Sequence, residues 1–152
     1  MNWINYFKEI AHVVKSKSKD ENFKVGAVIV AEDKSILSTG YNSFPRGIES
    51  SALRQSKPPK YYWIEHAERN AIYNAAKNGI KLDGASIYLT ASYPCADCAR
   101  AIINSGIKTI HCHTSSGPYN THWIKHYKVA EEMLKEAGIQ INFYEFTRNH
   151  EE

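Results

Sequence analysis

Ser86-Ile87-Tyr88-Leu89-Thr90-Ala91-Ser92-Tyr93-Pro94-Cys95-Ala96-Asp97-Cys98-Ala99 is the stretch that decides the fold. A short apolar run predicts a strand over Ser86 to Thr90. Pro94 then suits the start of a helix, which continues through Cys95, Ala99, Ile102 and Ile103 and is closed by Gly106. A C-x-x-C step therefore lies at a helix N-terminus directly after a strand. A second strong feature stands upstream, where His66-Ala67-Glu68 opens a helix running from about Glu65 to Asn78, with Gly79 as its stop.

The rest of the chain falls into place around these two units. Trp3, Tyr6, Phe7, Ile10, Val13 and Val14 recur at helical spacing and predict an opening amphipathic helix that ends near the charged Lys15 to Asp20 turn. Val25 to Val30 and Ile36 to Tyr41 read as a hairpin pair across Glu32-Asp33-Lys34. Asn42 to Trp63 carries Pro45, Gly47, Pro58 and Pro59 and reads as one long loop, of a length that is usually functional or mobile. Thr109 to Cys112 is a strand. Trp123, Tyr127, Ala130, Leu134 and Ala137 place an apolar stripe on a helix ended by Gly138, and Ile139 to Phe146 is the last strand.

The order α-β-β-α-β-α-β-α-β predicts an α/β fold, a three-layer α/β/α sandwich around a mixed five-stranded sheet. Because a helix joins the last two strands, they should be parallel. A chain of 152 residues that is 43% hydrophobic supports one domain, 1–152, with a real core. Its net charge of +3 permits an anionic substrate without demanding long nucleic acid. Three cysteines, two of them in C-x-x-C, are unlike a secreted disulfide framework and point to a reducing compartment, the cytoplasm. Met1 to Glu9 mixes polar, charged and aromatic residues, and reads as neither signal peptide nor membrane span.

The chemistry implied is that of zinc. Cys95 and Cys98, three apart at a helix start, share a face near the positive end of the helix dipole, which favours paired thiolates on a metal. His66 adds a neutral nitrogen from the other helix. Three protein ligands leave the fourth position of Zn2+ to solvent, the mark of a catalytic site. Glu68 lies two residues on, a turn of roughly 200° along an ideal helix, and so cannot share a face with His66. Both can serve one metal only if it sits beyond the helix end. His111, Cys112 and His113 are the candidates for a fourth protein ligand, but a strand accounts for them more simply. His12, His122, His126 and His150 read as ordinary surface or helix residues.

With these motifs the sequence resembles the zinc-dependent cytidine deaminase superfamily, marked by H-x-E and P-C-x-x-C, and within it the deoxycytidylate (dCMP) deaminases. Ser18-Lys19-Asp20, Lys24-Val25-Gly26-Ala27, Gly40-Tyr41-Asn42-Ser43-Phe44-Pro45-Arg46-Gly47, His66-Ala67-Glu68-Arg69-Asn70-Ala71-Ile72 and Pro94-Cys95-Ala96-Asp97-Cys98-Ala99 match that family's blocks in order. The resemblance implies hydrolysis of dCMP to dUMP and ammonia, feeding the dTMP pathway, in a homo-oligomer that is often hexameric. It gives His66, Cys95 and Cys98 the zinc positions, Glu68 the proton shuttle and Asn42 a hydrogen bond to the sugar. The G-Y-N-x-x-P-x-G loop implies an effector role for dCTP or dTTP with Mg2+. Departures from the pattern are Ser43 for a common glycine, Lys17 for an arginine, and an unusual passage from Ser115 to Trp123.

Lys17, Lys19, Lys24 and Arg46 cluster in sequence near these loops, so a 5′-phosphate is the expected anion, with Ser18 and Lys19 as its first-choice contacts. Two other classes of function stay open at this level. A nucleic-acid deaminase acting on tRNA adenosine or single-stranded cytosine would need a basic, aromatic groove, for which Lys57, Lys60, Tyr61, Tyr62 and Trp63 are the material. A non-catalytic, zinc-stabilised binding module would leave Glu68 without a task.

Overall fold

The structure, a computed structural model, describes residues 1–114 and 121–144. It opens with helix α1 (Trp3–Lys15), capped by Asn2, whose side chain accepts the Asn5 N–H at 2.8 Å. Of the predicted apolar stripe, Phe7 is buried with its neighbour on that face, Ala11, whereas Trp3, Tyr6 and Val13 are exposed. Strands β1 (Gly26–Val30) and β2 (Ile36–Tyr41) form the expected antiparallel hairpin.

The long stretch after β2 differs from the loop predicted. It contains two single-turn helices, α2 (Ala52–Gln55) and α3 (Lys60–Trp63). Four residues are too few to show a period of 3.6 in sequence. Ser51 caps α2 by accepting the Arg54 N–H at 3.2 Å, and the Arg54 guanidinium lies 4.1 Å from the Trp63 ring centroid, tying the two turns together.

Helix α4 (Ala67–Lys77) leads to β3 (Ser86–Leu89), α5 (Ala96–Asn104) to β4 (Thr109–Cys112), and α6 (Thr121–Glu136) to β5 (Gln140–Phe143). The sheet order is β2-β1-β3-β4-β5, with β1 antiparallel to β3 and both β3–β4 and β4–β5 parallel. The last two strands are thus parallel as predicted. The final strand ends at Phe143, with Tyr144 already outside it, so it is shorter than the predicted Ile139 to Phe146; positions 145 and 146, and most of the Ser115 to Trp123 passage, lie outside the described residues.

Alternation along β1 sends Val28 and Val30 to a layer with Phe7, Ala11, Tyr88 and Tyr144, under α1. Ala27 and Ile29 face the other way, into the main core with Ile87, Leu89, Ile110, Ala71, Ala75, Ile102 and Leu134 from the strands and from α4, α5 and α6. These are the three layers of the sandwich. Two close approaches set the helix positions. A Cβ on Gly40 would lie 2.6 Å from the Ala67 carbonyl oxygen and 2.8 Å from Ala71 Cα, so β2 and α4 touch backbone to backbone. Gly26 permits the same between β1 and α1 on the opposite face.

Candidate active site and metal centre

The helix N-termini of α4 and α5 meet at one point. Glu65 is held in an antiparallel bridge with Ser43, its N–H donating to Ser43 O at 2.8 Å and its carbonyl accepting from Ser43 N–H at 3.1 Å. That bridge keeps the chain extended through His66 (φ −74°, ψ 153°), so the helix begins two residues later than predicted and His66 is its N-cap. The imidazole makes no capping bond and stands at the helix end. Glu68, in the first turn, comes round to the same place, with Oε2 4.0 Å from His66 Nδ1. The helix end therefore removes the 200° separation that an unbroken helix would impose.

Cys95 is likewise the N-cap of α5 rather than part of its first turn, and its sulfur accepts the Cys98 N–H at 3.4 Å. His66 Nδ1 lies 3.5 Å from Cys95 Sγ and 3.4 Å from Cys98 Sγ, and Cys98 Sγ lies 2.9 Å from Glu68 Oε2. Tetrahedral zinc with sulfur at about 2.3 Å and nitrogen at about 2.0 Å separates neighbouring ligand atoms by roughly 3.5–3.8 Å. The two His–Cys separations match that edge.

Charge points the same way. The hydrogen bond from Cys98, with His66 and the Cys98 N–H assisting, draws the Cys95 thiol down to about 4 against its burial. Cys98 is pushed up by its bond to Cys95, by burial and by the Glu68 carboxylate. Burial would lower His66, but Cys95 and Glu68 outweigh it and raise the imidazole. Two sulfurs, a carboxylate and one imidazole are thus crowded together, a donor set that suits a divalent cation.

Arg69 joins the two helix starts. It grips Glu65 through Nε and Nη2, and its Nη1 lies 3.6 Å from Oδ2 of Asp97, whose Oδ1 pairs with Arg100. His126 of α6, read from sequence as unremarkable, approaches from the other side, with a ring nitrogen within 4.8 Å of Cys95 and Asp97. A lone His on an amphipathic helix gives no sequence signal of such a position.

A cleft of about 330 Å³ opens on this group. His66, Glu68 and Cys95 line it, together with Phe23, Tyr61, Trp123 and Tyr127, and with Asp20, Asn42, Lys57 and Lys60. Trp123 stands 5.9 Å from the His66 ring and 6.1 Å from Tyr61, centroid to centroid. Helix α6, predicted only as a packing helix, therefore supplies aromatic wall.

The sequence-predicted substrate contacts are distributed differently. Asn42 lines the cleft, but its Oδ1 accepts the Val25 N–H at 2.8 Å, and its Nδ2 donates to Phe23 O at 2.8 Å and Asp20 Oδ2 at 3.3 Å. Ser18 is buried, and its hydroxyl donates to Asn42 O at 2.8 Å. Lys19 is exposed and, with Lys17 and Arg46, lines a second hollow of about 460 Å³ beside the Tyr41–Arg46 loop. Among the described residues lining the cleft itself, Lys17, Ser18, Lys19, Lys24 and Arg46 are absent. His111 lies on the α1 side of the sheet, stacked on Tyr88 at 4.2 Å, and Cys112 is fully buried in the main core. Neither they nor His113 joins the three-ligand group among the described residues.

A mixed five-stranded sheet with H-x-E at one helix start and P-C-x-x-C at the next defines the zinc-dependent base deaminases. More particularly, the family model for the cytidine and deoxycytidylate deaminase zinc-binding region matches residues 1–114, and the chain belongs to that family. It is 34% identical over 141 residues to an uncharacterized deaminase in the luxG 3′ region of Aliivibrio fischeri, covering 93% of this chain and 92% of that one. It is 38% identical over 116 residues to the Homo sapiens deoxycytidylate deaminase, covering 72% of this chain and 64% of that one. Among solved structures, the dCMP deaminase of cyanophage S-TIM5 in complex with dCMP and dUMP superposes with a TM-score of 0.74 at 24% identity, covering 92% and 95% of the two chains. This last likeness is one of fold.

Proposed function

We propose that this protein converts dCMP to dUMP and ammonia, with zinc held by His66, Cys95 and Cys98 and with Glu68 as the proton carrier. The observation that carries the reading is the Glu68 carboxylate aimed into the ligand group, 2.9 Å from Cys98 Sγ and 4.0 Å from His66 Nδ1. A purely structural metal site has no use for it. Bound zinc supplies the Lewis acidity that makes water a nucleophile near neutral pH. Glu68 takes one proton from the attacking water and delivers it to N3 of the cytosine ring, then carries the remaining proton of the new C4 hydroxyl to the amino group, so that the C4–N bond breaks as the C4 carbonyl forms. One water enters and one ammonia leaves. Phe23, Tyr61, Trp123 and Tyr127 enclose the base and exclude bulk water. Asn42 faces the sugar, for which its longest bond, 3.3 Å to Asp20, is the one to exchange.

The named deoxycytidylate deaminase relatives support dCMP as the substrate. On this reading the enzyme works in the cytoplasm and supplies dUMP for dTMP synthesis. The second hollow, lined by Lys17, Lys19, Arg46 and the Tyr41–Arg46 loop, is the place for dCTP or dTTP with Mg2+. Asp20, Asn42 and Ile64 line both hollow and cleft, so an effector there would bear on the substrate wall. Leu53 and Tyr62 are apolar surface that a homo-oligomeric contact would cover.

Spectrophotometric deamination of dCMP, CMP, deoxycytidine, cytosine and an oligonucleotide, with and without dCTP or dTTP, tests the reading. Preferred turnover of dCMP is the expected result. Turnover confined to the oligonucleotide, or none at all in zinc-loaded protein, would refute it.

A further inference from the structure

The cations lining the cleft are Lys57 and Lys60, on the α2–α3 insertion. Lys60 is not an ordinary surface lysine. Its ammonium lies 2.9 Å from Asp20 Oδ1 and 2.8 Å from Oδ2, with only 13% of the side chain exposed. Asp20 is itself buried and fixed, since Oδ1 also accepts the Asn22 and Phe23 N–H groups at 2.9 and 3.1 Å, and Oδ2 the Asn42 amide at 3.3 Å.

Resting on the dCMP reading above, we infer that Lys60, pinned in place by Asp20, is the residue that reads the 5′-phosphate, with Lys57 as a second cation at the rim. Two carboxylate oxygens occupy at most two of the three ammonium donors. The third is held in the cleft with its rotamer already fixed, so little entropy is lost when it meets an anion. The Asp20 charge stays engaged by the Asn22 and Phe23 N–H groups and by Lys60 itself when Asn42 turns to the sugar. Lys57, exposed three residues earlier, gives the pair a net positive charge to face a phosphate carrying about two negative charges. Asp20 is a positioning residue in this scheme, and a nucleoside lacking the phosphate leaves Lys60 as it stands.

A charge-assisted hydrogen bond of this kind contributes roughly a 10- to 100-fold preference. The experiment compares kcat/KM for dCMP and deoxycytidine in the zinc-loaded wild type, Lys60→Gln, Lys57→Ala and the double variant Asp20→Asn/Lys60→Gln, with calorimetric binding of dUMP and deoxyuridine alongside. The double variant matters because Lys60→Gln alone leaves a buried carboxylate without its partner, which can unfold the loop. Expected is a fall in the dCMP-to-deoxycytidine ratio of about 10- to 100-fold in both Lys60 variants, a smaller fall for Lys57→Ala, and a matching loss of dUMP over deoxyuridine in binding. An unchanged ratio in the double variant, or a loss on both substrates that it restores equally, overturns the inference and leaves dCMP deamination standing. A wild type that ignores dCMP removes the underlying reading instead.

Discussion

Gly40→Ala is a one-methyl test of how the metal centre is held together. The new Cβ would meet the Ala67 carbonyl oxygen at 2.6 Å and Ala71 Cα at 2.8 Å, and the Ala71 nitrogen nearer still. All three are backbone atoms of α4 and cannot swing aside, so helix and strand must part by about 1 Å to regain van der Waals contact. Overpacking of this kind costs about 1–3 kcal/mol, which for a chain of this size is a fall of roughly 2–12 °C in Tm. Helix α4 carries His66 and Glu68 at its start, whereas Cys95 and Cys98 ride on α5. A 1 Å retreat stretches the 3.5 and 3.4 Å His–Cys separations toward about 4.5 Å, beyond the edge that tetrahedral zinc spans. We therefore expect substoichiometric zinc by elemental analysis and turnover lowered by roughly 10²-fold. Gly26→Ala is the control, because there the Cβ collides with the α1 backbone on the other face of the sheet. It should lose comparable stability yet keep one zinc per chain. A Gly40→Ala protein with full zinc and wild-type turnover would refute the reasoning.

Three further outcomes follow from the site and its surroundings. Glu68→Gln should retain zinc while turnover drops roughly 10²- to 10⁴-fold, so near-normal activity would remove Glu68 from the proton path. Cys95→Ala and Cys98→Ala should each lose metal and stability together, whereas Cys112→Ala, whose thiol burial pushes up to about 12, should keep its zinc by elemental analysis. His111 is buried against Tyr88, and burial, with Lys34 nearby, lowers its pKa to about 4. Between pH 6.5 and 4 the unfolded chain takes up that proton and the folded one does not, so stability falls as pH drops through this window, by about 3 kcal/mol in all, and is unaffected by this group above it. Denaturant melts of His111→Phe across the same range should show a correspondingly shallower decline, and an identical slope would exclude His111 as the cause.

The sequence was most legible where local rules govern. Pro94 and Gly106 bracket α5, Gly79 follows α4, and the β-branched run of β1 fills a strand buried on both faces. His66, Glu68, Cys95 and Cys98 were readable as one group because residues at helix starts point past the helix end, whatever lies between them in sequence. What escaped was set by partners far along the chain. Asp20 and Lys60, 40 residues apart, form their buried pair only because the α2–α3 insertion folds back over the cleft. Trp123 and Tyr127 fit a packing stripe equally well as a cleft wall, since periodicity gives a face but not its neighbour. Ser18 shows the converse, a polar residue in a family block whose hydroxyl is engaged by the Asn42 backbone.

The cap positions of His66 and Cys95 have a thermodynamic consequence. These residues are 29 apart in sequence, so a metal joining them closes a long loop much as a covalent bridge would, a constraint on the chain equivalent to about 3–4 kcal/mol. Unlike a covalent bridge, this one is governed by mass action. Above the dissociation constant, each tenfold rise in free zinc adds about 1.4 kcal/mol to the folded state. With zinc held there, the melting temperature of the protein should rise with the zinc activity around it and fall beside a strong chelator.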